Sequence, residues 1–220
     1  WEDITRFCPA QSRAIGYSWL DSDTKPLEMA QAGYPVVLAN ANRLYFDFAY
    51  CNHHEEKGLN WGGYTDEYRS FDWEPLIHPN VIGMNAQLWG EVIRSFSQVE
   101  WQIYPKIYGL AERAWNNRSA LTLSEYNQLV YEVFLPQLAA SGRHFHIQQP
   151  GVKQLTVDSL QVIVAMNKVM EGGEIIYRVD NGEWQVYQTP VALPHDAEIV
   201  QAKVRYLGKE SNTTWLWLEK

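Results

Sequence analysis

Residues Val81–Trp115 read VIGMNAQLWGEVIRSFSQVEWQIYPKIYGLAERAW and combine the patterns of a strand, a loop and a helix. The run Val81–Met84 is short and apolar, which is typical of a buried strand. Gln87, Trp89 and Glu91 follow it as a polar-aromatic set. Apolar residues then recur at steps of three and four, which predicts one long helix through Val99, Ile103, Ile107, Leu110 and Ala114. A strand, a polar loop and a helix are the repeat of a (β/α) barrel, whose chemistry lies at the carboxyl ends of the strands.

A Trp beside a carboxylate, as in Trp89 and Glu91, is typical of a site that holds a sugar. The apolar face of the indole covers the C–H face of the pyranose, and the carboxylate fixes the hydroxyls. The chain has 220 residues with ten Trp and thirteen Tyr, a load that suits a core, a carbohydrate cleft or both. Trp101 and Trp115 fall on the predicted helix, where we expect core packing.

Charge and hydropathy exclude other classes of partner. The net charge of −8 and the lack of a basic stripe argue against nucleic acid. No apolar run approaches the roughly 20 residues that a membrane span needs, and no signal peptide is visible. The chain begins at Trp1 without Met, and we expect it to be a fragment or a processed chain.

The residues before Val81 alternate between strand and helix patterns. Ala14–Leu20 and Val36–Ala39 read as short strands, and Leu27–Ala32 reads as a helix between them. This alternation predicts a parallel sheet. The opening Trp1 is expected at the end of another strand. The long segment Cys51–Pro79 has few helix or strand signals, and its aromatic residues favour a functional loop.

The pattern changes after the barrel-like region. Thr122–Glu125 resembles a capping box that opens a helix ending at Gly142, and His144–Gly151 reads as a linker. Short alternating strands follow, and Asp180-Asn181-Gly182 is a strong hairpin turn. These features predict a small antiparallel sandwich with a boundary near Pro150. The five predicted strands are Leu160–Ala165, Ile175–Val179, Trp184–Gln188, Ile199–Tyr206 and Thr213–Leu218.

Cysteine and histidine give no firm site. Cys8 and Cys51 could form one disulfide or remain two thiols, and the sequence leaves both open. His53-His54 precedes two glutamates, but adjacent histidines point in different directions and no further ligand has a familiar spacing. We therefore predict no metal and no cofactor.

Two motifs carry a resemblance to a known family. Leu88–Glu91 and Tyr104–Trp115 resemble the last strand and helix of family 20 glycoside hydrolases, the β-N-acetylhexosaminidases that include bacterial chitobiases. The resemblance implies an α/β fold in which residues 1–149 are the carboxyl-terminal half of a (β/α)8 TIM barrel. Residues 150–220 are similar to the immunoglobulin-like β-sandwich that follows the barrel in bacterial chitobiases. In that reading, four barrel strands end at Trp1, Trp19, Tyr45 and Trp89.

The resemblance also assigns roles in sugar binding. Trp1, Trp19 and Trp89 match three Trp that wall the family's acetamido pocket. Tyr45 matches the Tyr that hydrogen-bonds the acetamido carbonyl oxygen. The remaining matches are a hydroxyl-binding carboxylate, a second acid near the pocket and a loop Trp that stacks on the next sugar: Glu91, Asp47 and Trp61, respectively.

The implied mechanism is retaining and substrate-assisted, so that the substrate's N-acetyl oxygen attacks the anomeric carbon. The family's catalytic Asp-Glu pair and a sugar-binding Arg belong to earlier barrel strands, which we expect upstream of Trp1. The only Asp-Glu dipeptide here, Asp66-Glu67, follows Tyr45 and is interpreted as loop scaffolding.

Two hypotheses follow. In the first, the chain is part of a hexosaminidase that removes terminal GlcNAc from chitooligosaccharides. It is inactive alone, and its partner is the missing half of the barrel or another copy. The resemblance implies a periplasmic, cell-envelope or secreted protein. In the second, the chain is a non-catalytic GlcNAc-binding or structural module. In both, Trp184, Trp215 and Trp217 are expected to pack within the β module, with a sugar-binding platform as the alternative.

Overall fold

The computed structural model describes residues 1–7, 14–20, 22, 24–116, 118–157, 161–168 and 170–219. Its contacts divide the chain into two compact units. One comprises Trp1–Tyr126 with Arg143–Phe145, and the other comprises Asn127–Gly142 with His146–Lys220. The boundary that we predicted near Pro150 is not tested by this division and stays a prediction. Cys8 lies outside the described residues.

The first unit contains a parallel sheet of three strands, as predicted. β1 (Gly16–Ser18) pairs with β2 (Val36–Leu38), and β2 pairs with β3 (Val81–Met84). Because the strands are parallel, their carboxyl ends meet at one edge of the sheet. Among the described residues β3 pairs on one side only, and its Ile82 is 55% exposed. The prediction of a buried strand was therefore wrong about burial.

Helix α1 (Lys25–Gln31) connects β1 to β2 and confirms the predicted alternation. Pro26 lies in its first turn, where a missing N–H costs nothing. Gly33 follows the helix with a φ of 95°, a conformation that glycine adopts readily. Met29 and Ala30 pack into a buried cluster with strand residues of β2.

Three of the four expected strand ends differ in the structure, and one of them is Trp89, which lies five residues after the end of β3 at Met84. Trp1 precedes a 3-10 helix, Glu2–Arg6, rather than ending a strand. Tyr45 follows a one-turn helix, α2 (Ala41–Leu44), and forms an isolated parallel bridge with Gln87. Trp19 directly follows β1 as predicted. The apolar patterns could not reveal these turns, because each turn is shorter than the window over which periodicity is read.

The predicted long helix is two helices, α4 (Phe96–Ile103) and α5 (Lys106–Trp115). Pro105 separates them because it has no backbone N–H to donate and disfavours a helical residue before it. The buried face is also different from the predicted one. It carries polar side chains, and the apolar stripe is half-exposed or exposed. The buried polar residues are Gln98, Glu100, Gln102, Lys106 and Arg113.

These buried polar groups are retained because they have partners. Arg113 Nε donates to the carbonyl of Phe71 at 2.5 Å, and Gln102 donates to the carbonyl of Asp47 at 3.3 Å. A buried polar group that is hydrogen-bonded avoids most of its desolvation cost. Trp115 is 92% exposed, so the expectation that it lies in the core was wrong.

Asp66 and Glu67 begin helix α3 (Glu67–Phe71). The Asp66 carboxylate accepts a hydrogen bond from the backbone N–H of Arg69 at 2.8 Å, which is an N-cap. Glu67 is buried, and its backbone carbonyl accepts a hydrogen bond from the Ser70 hydroxyl at 3.0 Å. Both residues therefore have structural contacts, in agreement with the scaffolding interpretation.

The helix that the capping box predicted begins at the end of the first unit. The backbone N–H of Thr122 donates to Glu125 at 2.8 Å, and the backbone N–H of Glu125 donates to the Thr122 hydroxyl at 3.2 Å. The helix continues from α6 (Leu123–Gln128) through a π-helical segment, Leu129–Phe134, into α7 (Leu135–Ala140). Gly142 follows with a φ of 71°, as its C-terminal position predicts.

Residues after the linker form two antiparallel sheets. The first has the order β4-β5-β8, and the second has the order β10-β9-β6-β7 with β11 also on β9. The hairpin predicted at Asp180 joins β6 to β7, and Asp180 has a φ of 51°. Trp215 and Trp217 are exposed, contrary to the expected packing. The strands are β4 (Gly151–Val157), β5 (Gln161–Asn167), β6 (Glu174–Val179), β7 (Gln185–Val186), β8 (Val191–Pro194), β9 (Ile199–Tyr206), β10 (Lys209–Glu210) and β11 (Thr214–Trp217).

Three of these strands, β4, β8 and β10, were not predicted. β8 has only four residues and β10 only two, which is too short for an apolar period to be read. In the described part of the chain, every helix is too short or too polar to cross a lipid bilayer.

The close approach of α3 and α5 gives a first prediction. A methyl group on Gly109 would lie 2.5 Å from the Ser70 hydroxyl and 2.7 Å from the backbone nitrogen of Phe71. Gly109→Ala should therefore lower the free energy of unfolding by about 1–3 kcal/mol. Gly83→Ala is the control, because no atom lies within 4 Å of its added methyl group. Urea unfolding of the two variants should give different midpoints; equal midpoints would contradict the packing described.

Candidate active site

One cavity in the first unit brings six of the seven predicted site residues together. Its volume is about 410 Å³, and it lies where β1 and β3 end. The predicted residues that line it are Trp1, Trp19, Tyr45, Trp61, Trp89 and Glu91, and they are joined by Asp3 and Leu59. A second cavity of about 360 Å³, near Arg43 and Trp73, contains none of the predicted residues.

The aromatic residues of the cavity contact one another in a continuous series. Ring centroids are 5.9 Å apart between Trp1 and Trp89, 6.0 Å between Trp89 and Tyr45, and 6.2 Å between Tyr45 and Trp61. The Trp61 and Trp19 rings are also 6.2 Å apart. Tilted and edge-to-face contacts at these distances are favourable. The side chains therefore restrain one another while part of each remains open to the cavity.

The exposed fractions of three tryptophans show that part of each side chain is accessible to a ligand. Trp1 is 45% exposed, Trp61 is 60% exposed and Trp89 is 38% exposed. Single exposed apolar residues are common, but a contiguous exposed apolar patch is typical of a surface that meets a ligand or a partner. The cavity is therefore an open aromatic cleft rather than a closed core.

The 3-10 helix Glu2–Arg6 positions two of the walls. It begins directly after Trp1, and the buried Glu2 carboxylate accepts hydrogen bonds from the Ser18 hydroxyl at 2.7 Å and the Trp19 backbone N–H at 2.9 Å. The neighbouring Asp3 carboxylate accepts a hydrogen bond from the Trp19 indole at 3.0 Å. Trp1 thus forms one wall of the cavity, and the next two residues, Glu2 and Asp3, hold Trp19, which forms another. Asp3 was not among the predicted site residues, although it lies two positions after the predicted pocket residue Trp1.

Tyr45 forms the inner wall and is buried. The pKa of its phenol is raised to about 12, chiefly by burial and to a smaller degree by nearby carboxylates, first that of Asp47. A hydrogen bond from the Trp89 side chain opposes this rise in pKa. The indole has only a donor, so it is the Tyr45 oxygen that accepts. The phenol therefore keeps its proton at any pH near neutrality and can donate it in a hydrogen bond.

Asp47 is the one predicted site residue that does not line the cavity. Its side chain is fully buried, and its two carboxylate oxygens lack a hydrogen bond of good geometry with the described residues. Burial raises the pKa of Asp47, while backbone N–H groups of Asp47 and Trp89 and the charge of Lys106 lower it. Its carboxylate thus lies behind the aromatic wall rather than in it.

Lys106, which the sequence analysis also missed, supports this wall from behind. Its ammonium is fully buried and donates to the carbonyl oxygens of Phe46 at 3.0 Å and Phe48 at 2.6 Å. It also lies 3.9 Å from the ring centroid of Tyr50, a cation–π contact. Burial lowers the pKa of Lys106 to about 7, and surrounding carboxylates oppose this lowering. A single lysine within the predicted helix gave no sequence signal that it would be buried behind the cavity wall.

The outer wall comes from the loop around Leu59 and Trp61. The backbone N–H of Leu59 donates to the carbonyl of Asp47 at 2.8 Å, which ties this loop to the inner wall. Gly58 has a φ of 132°, and an added methyl group would lie 2.6 Å from the backbone of residues 47 and 49. Glycine is therefore required for the close approach of the two segments. The Trp61 ring rests edge-on against Phe48 at 5.0 Å.

Glu91 lies at the rim and is exposed. Within the described part of the chain its carboxylate makes no hydrogen bond or ion pair, and Arg94 bonds only its backbone carbonyl. A carboxylate that faces a cleft without an internal partner is available to accept hydrogen bonds from a polar ligand.

Comparisons with known proteins agree with this geometry. The family model of glycosyl hydrolase family 20, catalytic domain, matches residues 1–118. The chain therefore belongs to glycosyl hydrolase family 20. The solved structures of this family that it resembles place it in an α/β fold that contains a TIM barrel.

Three relatives illustrate the extent of the similarity. A β-hexosaminidase of Vibrio furnissii is 29% identical over 119 residues, which are 50% of this chain and 19% of that protein. An N,N'-diacetylchitobiase of Vibrio harveyi is 24% identical over 207 residues, 73% of this chain and 23% of that protein. The structure of an exo-β-N-acetylglucosaminidase from Vibrio harveyi in complex with N-acetylglucosamine matches with 25% identity and a TM-score of 0.61. That match covers 67% of this chain and 24% of that one. The chain thus spans less than a quarter of the length of these relatives.

The lowered pKa of Lys106 gives a second prediction. Its folded-state pKa of about 7 lies below the value of about 10.5 for an unfolded lysine. Between these values the unfolded state binds more protons, so this group makes the protein more stable as pH rises. Relative to Lys106→Gln, the wild type should gain up to about 1.4 kcal/mol of unfolding free energy per pH unit from pH 7.5 to 9.5.

The measurement is urea unfolding at several pH values within this window. Lys25→Gln, at a lysine on α1 that pairs with an exposed Glu28, is the matched control and should follow the wild type. Parallel stability curves for the wild type and Lys106→Gln would show that Lys106 does not titrate in this range.

Proposed function

We propose that this chain is the carboxyl-terminal part of a β-N-acetylhexosaminidase that removes terminal GlcNAc from chitooligosaccharides or glycans. The proposal is carried by one observation, the cavity that joins Trp1, Trp19 and Trp89 to the protonated phenol of Tyr45. The named relatives, a chitobiase and β-hexosaminidases, support this substrate class. The mechanism that fits the cavity is substrate-assisted and retaining.

In this mechanism the acetamido carbonyl oxygen of the substrate attacks its own anomeric carbon. The bond from that carbon to the leaving-group oxygen breaks, and a general acid protonates the leaving group. Water then opens the oxazolinium intermediate at the anomeric carbon and restores the acetamide. The rate depends on holding the acetamide in attacking geometry, which rigid walls supply. The indoles of the cavity, which are in contact as the pairs Trp1–Trp89 and Trp19–Trp61, suit that task.

Tyr45 has the chemistry to orient the acetamide. Its O–H would donate to the carbonyl oxygen and hold it toward the anomeric carbon. A donor already fixed in a partly desolvated site stabilises charge that develops in the transition state. Because its pKa is raised to about 12, the phenol cannot lose this proton near neutral pH. The hydrogen bond from Trp89 leaves the phenol proton free to point at the ligand.

The rim residues suit the rest of the sugar. The Glu91 carboxylate would accept hydrogen bonds from sugar hydroxyls, as its exposed position favours. The open face of Trp61 would stack on the next sugar of the chain. Asp47 would act from behind the aromatic wall rather than by touching the sugar, because its carboxylate is buried and does not line the cavity.

The general acid is proposed to come from outside this chain. We place the family's Asp-Glu pair upstream of Trp1, on strands of the missing half of the TIM barrel. The open edges of β1 and β3 among the described residues support such a partner, because unpaired edges invite further strands. The β-rich second unit would be the immunoglobulin-like module that follows the barrel. A periplasmic, cell-envelope or secreted location is proposed from the family resemblance.

A second candidate function is non-catalytic binding of GlcNAc. It is favoured by the cavity itself, since all the aromatic walls belong to this chain and no Asp-Glu pair lines it among the described residues. The two functions differ in what the complete protein does. An enzyme releases GlcNAc from an aryl glycoside, and a binding protein only retains it.

Tyr45→Phe in the complete protein provides the test. Loss of one preorganised donor should lower kcat for 4-nitrophenyl N-acetyl-β-glucosaminide by about 100- to 1,000-fold, with a much smaller change in KM. Tyr64→Phe is the matched control, because Tyr64 lies in the same unit but does not line the cavity. Unchanged hydrolysis by Tyr45→Phe would remove Tyr45 from the site, and an inactive wild type would favour the binding function.

A further inference from the structure

Two adjacent carboxylates hold Trp19 at two different points. Glu2 bonds the backbone N–H of Trp19 at 2.9 Å, and Asp3 bonds the indole N–H at 3.0 Å. Glu2 is buried, whereas Asp3 lines the cavity and is exposed. The backbone of Trp19 is therefore fixed by one group and its ring by another.

The hydrogen bond that the Trp19 indole donates to Asp3 restrains the tilt of the indole ring. The indole N–H is the only polar group of a Trp side chain, so this contact alone gives its ring a directional restraint. A hydrogen bond to a charged acceptor is stronger than one between neutral groups. The other contacts of the ring are an edge-on approach to Trp61, with centroids 6.2 Å apart, and apolar packing on the cluster of Ala41, Tyr45 and Phe48, and neither includes a directional hydrogen bond.

We propose that Asp3 is a specificity-determining positioning residue, which sets the tilt of the Trp19 ring and thereby the size of the N-acyl group that the cavity accepts. The inference rests on the proposed function, because it concerns the wall of the acetamido pocket. With Asp3 intact, the ring stands where it closes the cavity around an acetyl group. Without it, the ring swings toward solvent and the cavity takes a longer acyl chain.

Asp3 acts through Trp19 rather than by touching the sugar. Its Oδ2 atom already accepts the indole N–H, so a direct bond from the same atom to the ligand would compete with this contact. This separates Asp3 from Glu91, whose carboxylate has no described internal partner. This role can be tested, because an effect of Asp3 that acts through Trp19 must vanish in a variant that lacks the indole N–H.

The experiment compares two substrates in the complete protein, the 4-nitrophenyl β-glycosides of N-acetyl- and N-butanoyl-glucosamine. Asp3→Ala should lower kcat/KM for the N-acetyl substrate about tenfold, the size expected for one lost hydrogen bond to a charged group. The ratio of N-butanoyl to N-acetyl kcat/KM should rise by about tenfold. Asp3→Asn, which keeps the size and one acceptor, should give an intermediate ratio. Glu28→Ala, an exposed acid on α1, should leave the ratio unchanged.

A double-mutant comparison completes the test. In a Trp19→Phe background, which lacks the indole N–H, Asp3→Ala should change the substrate ratio by less than about twofold. Equal losses for both substrates in Asp3→Ala would overturn the proposal, and so would a full effect of Asp3→Ala in the Trp19→Phe background. Thermal unfolding of each variant separates these results from misfolding.

The proposal can fail independently of the proposed function. If the wild type hydrolyses neither substrate, the hydrolase function fails, and Kd values for N-acetyl- and N-butanoyl-glucosamine replace the rates. Asp3→Ala must then shift the ratio of the two Kd values in the same direction. An unchanged ratio of Kd values would overturn the role of Asp3.

Discussion

The buried ammonium of Lys106 is the contact on which the rest of the site depends. It binds the carbonyls of Phe46 and Phe48 and so fixes the turn that carries Tyr45 and Asp47. An isolated buried charge is costly, and this one is retained because two carbonyls and the face of an aromatic ring replace its water. Removal of the lysine would leave two buried carbonyls without a donor. The inner wall of the cavity is therefore tied to helix α5.

The outer walls of the cavity are also held by polar groups, which hydrogen-bond the aromatic residues or the loops that carry them. Glu2 and Asp3 hold Trp19, the Trp89 side chain bonds Tyr45, and the backbone of Leu59 ties the Trp61 loop to Asp47. Trp19, Tyr45 and the Trp61 loop therefore have polar restraints in addition to ring packing. Packing alone would leave the rings free to tilt, whereas a preorganised cavity must hold them before the ligand arrives.

The sequence predicted the aromatic residues of the cavity better than the groups that support them. Trp19, Tyr45 and Trp89 were predicted because they match pocket residues of the family that the sequence resembles. Lys106 and Asp3 were missed, since a buried lysine and a wall-fixing acid look like ordinary surface residues in a sequence. Their roles depend on contacts with residues 60 and 16 positions away, which no local pattern contains. Pro105 is the opposite case. The proline was a local signal for a break in the helix, but the apolar period on both sides of it predicted one continuous helix.

The central claim is that the cavity holds a substrate acetamide as the nucleophile. The most direct measurement is kcat/KM of the complete protein for 4-nitrophenyl β-glucosaminides whose N-acetyl group carries zero, one, two or three fluorine atoms. Fluorine makes the carbonyl oxygen a weaker nucleophile without greatly changing its size. The account predicts a steep fall in kcat/KM with each added fluorine. Similar values across the series would contradict it and assign the attack to another group.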